Sequence, residues 1–197
     1  MKSKERGFTL VELLAVIVIL GIIAIVAVPN VVGILERNRA SIYVEDAKKM
    51  VTNAEYKLRG NNIGIVKPTN GKCIIMNLAY LDNTEFDEAP NGGEYLKDES
   101  YVVIKRNNNQ YEYFVQLVEG NVESTNSKGI ALINSKKLFE DTATNSVDLV
   151  PNSKLFNVSN YAFIKGENNT SKANSILSKI NNSVSNCQEI SYVYAIN

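Results

Sequence analysis

Between Leu13 and Leu35 no residue is charged, and apolar side chains follow one another around every face. These 23 residues would rise roughly 34 Å as an α-helix, enough to cross a hydrocarbon core about 30 Å thick. The pattern changes at Glu36. Ala40, Tyr43, Val44, Ala47, Val51, Ala54 and Leu58 then recur at three- and four-residue steps, and charged residues, Asp46 among them, cover the rest. This predicts a one-sided continuation of the same helix. Arg59-Gly60-Asn61-Asn62 is its stop signal, so the predicted helix spans Phe8–Arg59 and is roughly 78 Å long. Gly21, Pro29 and Gly33 interrupt it. Proline removes a backbone donor and crowds the carbonyl four residues back, so a bend is expected near Ile25–Pro29. The stripe suits packing against a globular head, with a homodimeric coiled coil as the alternative.

After Gly60 the texture becomes short apolar runs separated by Asn, Gly, Ser and Lys. Ile63–Val66 and Lys72–Met76 read as short strands joined by a turn at Pro68-Thr69-Asn70-Gly71. Asn77–Asp82 reads as a helical turn or two, and Glu85–Gly93 as an acidic loop. The strongest strand signal is Tyr101–Lys105 followed by Tyr111–Val118, an antiparallel hairpin turning through Arg106–Gln110. In its second strand Tyr111, Tyr113, Val115 and Leu117 alternate with Glu112, Phe114, Gln116 and Val118. Weaker signals predict strands at Gly129–Asn134 and Tyr161–Lys165, a helical turn at Ser135–Phe139, and a short amphipathic helix over Thr170–Val184 capped by Ser171. A Tyr/Val/Ile strand closes the chain at Glu189–Ile196. Residues 61–197 are enough for one core. The part beyond about residue 120 reads as a possible added subdomain.

Composition narrows the chemistry. The 197 residues balance 21 basic against 21 acidic side chains and include no His. A His-based triad, an HExxH metal site and an imidazole relay are therefore excluded. Residues 1–60 carry a net charge of +3 and residues 61–197 a net charge of −3. That suits a basic N-terminus held on the cytoplasmic side with the rest translocated, and lacks the dense basic face of a nucleic-acid binder. Cys73 and Cys187 are too few and too far apart for zinc. They are either two buried thiols or a disulfide, which the chain-entropy model values at about 4–5 kcal/mol. Asp82, Glu85, Asp87 and Glu88 cluster without fixed ligand spacing, so a solvated acidic loop is read in preference to a calcium site. No metal is expected.

Lys2, Lys4 and Arg6 precede Gly7, and Glu12 sits at the lip of the apolar run. An ordinary secretory signal has a shorter core followed by a small-residue cleavage site, and neither feature is present here before Glu36. A carboxylate beside a membrane costs a few kcal/mol unless paired, so Glu12 is a functional candidate, with an acid snorkelling to the interface as the alternative. The run Lys4-Glu5-Arg6-Gly7-Phe8-Thr9-Leu10-Val11-Glu12-Leu13-Leu14 resembles the class III signal of the type IV pilin family. The resemblance covers about the first third of the chain.

It implies an α+β pilin fold, a long N-terminal helix whose C-terminal half packs on an antiparallel β-sheet head. It also implies a leader, residues 1–7, cut between Gly7 and Phe8 by a prepilin peptidase that then N-methylates Phe8. Residues 8–35 would form the membrane and filament-core half, 36–60 the amphipathic half and 61–197 the head. Glu12 would pair with the amino terminus of Phe8 on another copy, an exchange of opposite charges within an apolar bundle. The Gly21–Pro29 stretch matches a segment that loses helical order in related filaments, with a simple kink as the alternative. The function implied is that of a type IV pilus subunit for adhesion, twitching motility or biofilm formation, working with other pilin subunits, the prepilin peptidase/methyltransferase and a membrane assembly platform. Neither a cofactor nor nucleic acid is called for, and no enzyme activity is expected. A minor pilin or a pseudopilin of a type II secretion or DNA-uptake system is the second reading. Only Lys105-Arg106 and Lys136-Lys137 would speak for DNA. A membrane-anchored enzyme is the third, and no nucleophile–base pair or phosphate loop supports it.

Overall fold

The computed structural model describes residues 7–60, 64–81, 86, 88–120, 128–140, 147, 149–151, 155, 177–180 and 182–194. Helix α1 spans Leu10–Arg59. It runs through Pro29 without interruption, and the Asn30 side chain donates to the Val26 carbonyl at 3.0 Å. The stop falls where Gly60 was expected, with the Gly60 amide donating to Tyr56 O at 2.8 Å. Packing divides the chain into two units, Met1–Asn38 and Arg39–Asn197.

In the second unit the described strands form one seven-stranded sheet. They are β1 (Lys72–Asn77), β2 (Glu94–Tyr95), β3 (Tyr101–Asn107), β4 (Gln110–Gly120), β5 (Lys128–Asn134), β6 (Leu149–Pro151) and β7 (Glu189–Tyr194). The order is β6-β5-β4-β3-β1-β7, with β2 paired to β4. Every pairing is antiparallel except β1 with β7, which is parallel. The sheet is therefore mixed where a purely antiparallel one was expected. A four-residue helix α2 (Leu78–Leu81) and a 3-10 turn (Ser135–Leu138) match the two short helical signals.

The β3–β4 hairpin is tighter than the pattern predicts. Asn107 pairs with Gln110, leaving Asn108-Asn109 as the turn, and Asn108 takes a φ of 53°. Asparagine tolerates that left-handed conformation better than most residues. The expected strand at Ile63–Val66 does not form over Gly64–Val66, and Ile63 lies outside the described residues. Gly64 sits at φ 110° in a turn, and the Val66 amide donates to the Tyr194 hydroxyl, so it is not available to a strand partner. Of the helix expected at Thr170–Val184, residues 177–180 are helical. The chain then turns, with the Ser183 and Val184 amides both donating to Ile180 O. Residues 170–176 and the strand expected at Tyr161–Lys165 lie outside the described residues.

Both faces of the sheet carry a buried apolar cluster. Helix residues Tyr43, Val44, Ala47, Met50, Val51, Ala54 and Leu58 pack with Ile74, Met76, Val102, Ile104, Val115 and Leu117 on one side of the sheet. On the other side Ile180, Val184 and Cys187 pack with Cys73, Ile75, Tyr101, Val103 and Phe114. The C-terminal segment thus covers the face around Phe114, which is buried, while Gln116 and Val118, also buried, bond with Glu99 and Ser100. Cys73 and Cys187 are bonded, with Cα atoms 5.9 Å apart across 114 residues. Beside them the buried Lys105 ammonium donates to Ser185 O at 2.7 Å and pairs with Glu112 at 3.2 Å. The Gln188 amide donates to Gly71 O at 2.8 Å.

A second set of polar contacts ties α1 to the sheet. Asp46, placed by the sequence pattern on the solvent face, is buried. It accepts from the Tyr95 hydroxyl at 2.7 Å and from Lys49 at 3.0 Å. Glu119 at the end of β4 is fully buried. It accepts from the Tyr43 hydroxyl, from the Asn91 side-chain amide at 2.6 Å, and from the Asn91 and Gly93 backbone amides at 3.2 and 3.3 Å. Multiple donors are what makes a buried carboxylate tolerable. Gly93 is required here, because a Cβ would come within 2.6 Å of Gly120 O.

Two predictions follow from this packing. Reducing the disulfide in the detergent-solubilised full chain should lower the melting temperature by about 5–15 °C, from about 2–4 kcal/mol lost in a chain of this size. Scanning calorimetry with and without reductant measures it, and an unchanged transition would show that the ladder and core hold the C-terminal segment without the bond. The second concerns alkali. Burial, together with Glu119 beside Tyr43 and Asp46 beside Tyr95, pushes those two phenols far above their ordinary value, and burial does the same to Tyr101. Burial also pushes Tyr113 up to about 12. A raised phenol pKa stabilises the fold fully only below the unfolded value of about 10, and the contribution drains away as pH climbs from there toward the folded values. Far-UV circular dichroism should therefore begin to collapse above about pH 10, together with the rise of phenolate absorbance. Complete phenolate formation with an intact spectrum would contradict this.

Candidate assembly site at the helix N-terminus

The predicted site residues Gly7, Phe8 and Glu12 lie at the start of α1. Gly7, Phe8 and Thr9 precede the first helical residue, Leu10. Phe8 is 86% exposed, and a Cβ on Gly7 would meet nothing within 4 Å. The Gly7–Phe8 peptide bond thus sits in non-helical, open backbone, the form in which a peptidase can take hold of a chain.

One feature was overlooked in the sequence. Thr9 is the N-cap of α1, and its Oγ1 accepts from the Glu12 amide at 3.3 Å. The Glu12 carboxylate reaches back to accept from the Thr9 amide and the Thr9 hydroxyl, both at 2.8 Å. This reciprocal pair is a capping box. It satisfies two of the donors that every helix start leaves without partners and sets a negative charge at the positive end of the helix dipole. Its signature, Thr-x-x-Glu ahead of an apolar run, was present in Thr9-Leu10-Val11-Glu12. The carboxylate is therefore held within its own chain, four residues from Phe8.

Downstream, the side chains of the apolar run are open. Leu10, Ile17, Ile25 and Val31 are each more than half exposed, as are most of their large apolar neighbours. By length and composition α1 is long enough and apolar enough to cross a membrane. Gly21 and Pro29 both lie within the continuous helix. Of the acidic cluster, Asp82, Glu85 and Asp87 lie outside the described residues, and Glu88 is exposed.

The architecture is a long, largely apolar helix with a capped, acid-bearing start, followed by an α+β unit. Residues 2–28 match the prokaryotic N-terminal methylation motif. The match is confined to this N-terminal segment. The chain is 38% identical over 55 residues to the type IV major fimbrial protein FimA of Dichelobacter nodosus, a match covering 28% of this chain and 35% of that protein. It is 41% identical over 59 residues to the type II secretion system core protein G of Dickeya chrysanthemi, covering 29% and 39%. Each match thus spans little more than a third of the relative's own length. No solved structure is a significant match to the chain.

The cap itself can be tested. Thr9→Val should speed amide hydrogen exchange at Glu12 and Leu13 of the micelle-bound chain about five-fold, equivalent to about 1 kcal/mol of capping, while Thr9→Ser should leave it nearly unchanged. Equal exchange in all three chains would show that the Thr9 hydroxyl does not cap the helix.

Proposed function

We propose that this protein is a structural subunit of a type IV pilus, acting by assembly rather than by catalysis. The observation that carries this reading is the junction at Gly7–Phe8, an open peptide bond leading directly into a capped helix whose large apolar side chains between Leu10 and Leu35 are exposed among the described residues. In this reading α1 holds the subunit in the membrane before assembly, with residues 1–7 as a leader on the cytoplasmic side. A prepilin peptidase cuts between Gly7 and Phe8 and methylates the new amine. The assembly platform then lifts the subunit into a helical bundle in which the apolar halves cover one another and the heads face water, at the cell surface. Such head-to-tail contacts do not close and therefore make a fibre.

Glu12 has a defined role in this scheme. The amine of Phe8 on a neighbouring copy replaces the Thr9 donors, exchanging a neutral cap for an opposite charge inside the bundle. Gly21 and Pro29 are the positions at which the helix would loosen to fit the bundle. The finished filament would serve adhesion, twitching motility or biofilm formation. The second reading, a minor pilin or the pseudopilin of a secretion or DNA-uptake machine, is favoured by one observation, the 41% identity to the secretion-system core protein over the helix.

Immunogold electron microscopy with an antibody to the head separates the two. A pilus subunit should be labelled along the whole length of long surface filaments, and Glu12→Ala should abolish them while leaving the protein in the membrane. Mass spectrometry of the filament should find a chain that begins at methylated Phe8. Label confined to the membrane or to rare points on filaments built of another protein would reject the main-subunit reading.

A further inference from the structure

We propose that Asn91-Gly92 is a deamidation site that the buried Glu119 network holds in check. An Asn-Gly pair is the sequence most prone to this reaction, because glycine has no Cβ to shield its amide nitrogen from the preceding side chain. The Gly92 nitrogen attacks Asn91 Cγ, the Cγ–Nδ2 bond breaks, and ammonia leaves from a five-membered succinimide. Water then opens the ring to aspartate or isoaspartate, so the net change is amide plus water to carboxylic acid plus ammonia.

The fold opposes each part of that step. The Gly92 amide donates to Ala89 O at 2.9 Å and Ala89 donates to Gly93 O at 2.6 Å, so the nucleophile is tied into a turn that begins at Pro90. The Asn91 side chain is turned away from Gly92 onto Glu119 at 2.6 Å and onto the Tyr43 hydroxyl at 3.0 Å. The Asn91 backbone amide binds the same carboxylate at 3.2 Å. The two side-chain bonds hold Asn91 in its present rotamer and the backbone bond holds its main chain, whereas ring closure needs the side chain to swing away. The product could not return. Aspartate or isoaspartate at position 91 would place a second carboxylate against fully buried Glu119, where the amide had donated. The Ala89–Gly93 loop would lose its anchor to α1, and the change is irreversible. A protein exposed outside the cell for long periods would accumulate it.

A second Asn-Gly pair provides the internal reference. Asn70 is exposed, accepts from the Asn108 amide at 2.8 Å, and is followed by Gly71, whose amide donates to Arg106 O at 3.1 Å. Among the described residues no carboxylate is bonded to it. The test is to incubate the full chain in detergent at mildly alkaline pH and map both peptides by mass spectrometry, counting the +1 Da products. The conversion of Asn91 should be at least about ten-fold slower in the folded chain than in the urea-denatured chain, the ratio expected if a local opening must come first. Glu119→Gln and, more gently, Tyr43→Phe should each accelerate Asn91 several-fold and leave Asn70 unchanged. The proposal is overturned if folded and denatured chains convert Asn91 at the same rate, or if the denatured chain does not convert it. Equal acceleration of Asn70 and Asn91 in Tyr43→Phe would also overturn it, because loosening would then be global and not local to the Glu119 network.

Discussion

The head is built against one strip of α1. Tyr43, Val44, Ala47, Met50, Val51, Ala54 and Leu58 lose essentially all contact with water against the sheet, and burial of side chains of this size is the dominant favourable term in folding. The same helix, from Leu10 to Leu35, leaves its apolar side chains uncovered. Two kinds of burial are therefore asked of one continuous helix. The chain provides the first, while the second calls for lipid or other helices.

Polar contacts then make that packing specific. Apolar residues would hold helix and sheet together in many registers. Glu119 meeting Tyr43, and Asp46 meeting Tyr95, allow few, because a buried carboxylate that loses its donors is strongly penalised. The phenol rings of Tyr43 and Tyr95 also meet edge to face, with centroids 6.1 Å apart, so polar and aromatic contacts select the same arrangement. On the opposite side of the sheet, the disulfide, Lys105 and the β1–β7 ladder act together on the C-terminal segment.

In the proposed assembly one side chain at the N-terminus would serve two environments. Within a single chain Glu12 completes a cap, which gives the carboxylate hydrogen-bond partners without requiring a cation. A carboxylate satisfied in this way can wait in an apolar setting until a positively charged group offers a stronger partner.

The local features were legible in the sequence because each depends on near neighbours. The long helix, its stop at Gly60 and the strands at Lys72–Met76, Tyr101–Lys105 and Gly129–Asn134 all follow from periodicity and turn residues within a few positions, whereas the helix begins at Leu10 and not at the predicted Phe8, because Thr9 caps it. The Thr9–Glu12 cap was equally local and was overlooked because Glu12 was read for its charge alone. The tertiary structure decided what depends on distant partners. Asp46 is buried because Tyr95 lies 49 residues away in sequence and beside it in space. Phe114 is buried because residues near Cys187 return to cover the second face. The parallel pairing of β7 with β1 and the meeting of Glu119 with Asn91 have the same origin. Hydrophobic pattern states which residues prefer to leave water, but only the packed chain determines which polar residues go with them, because a polar group can be buried only where a partner waits.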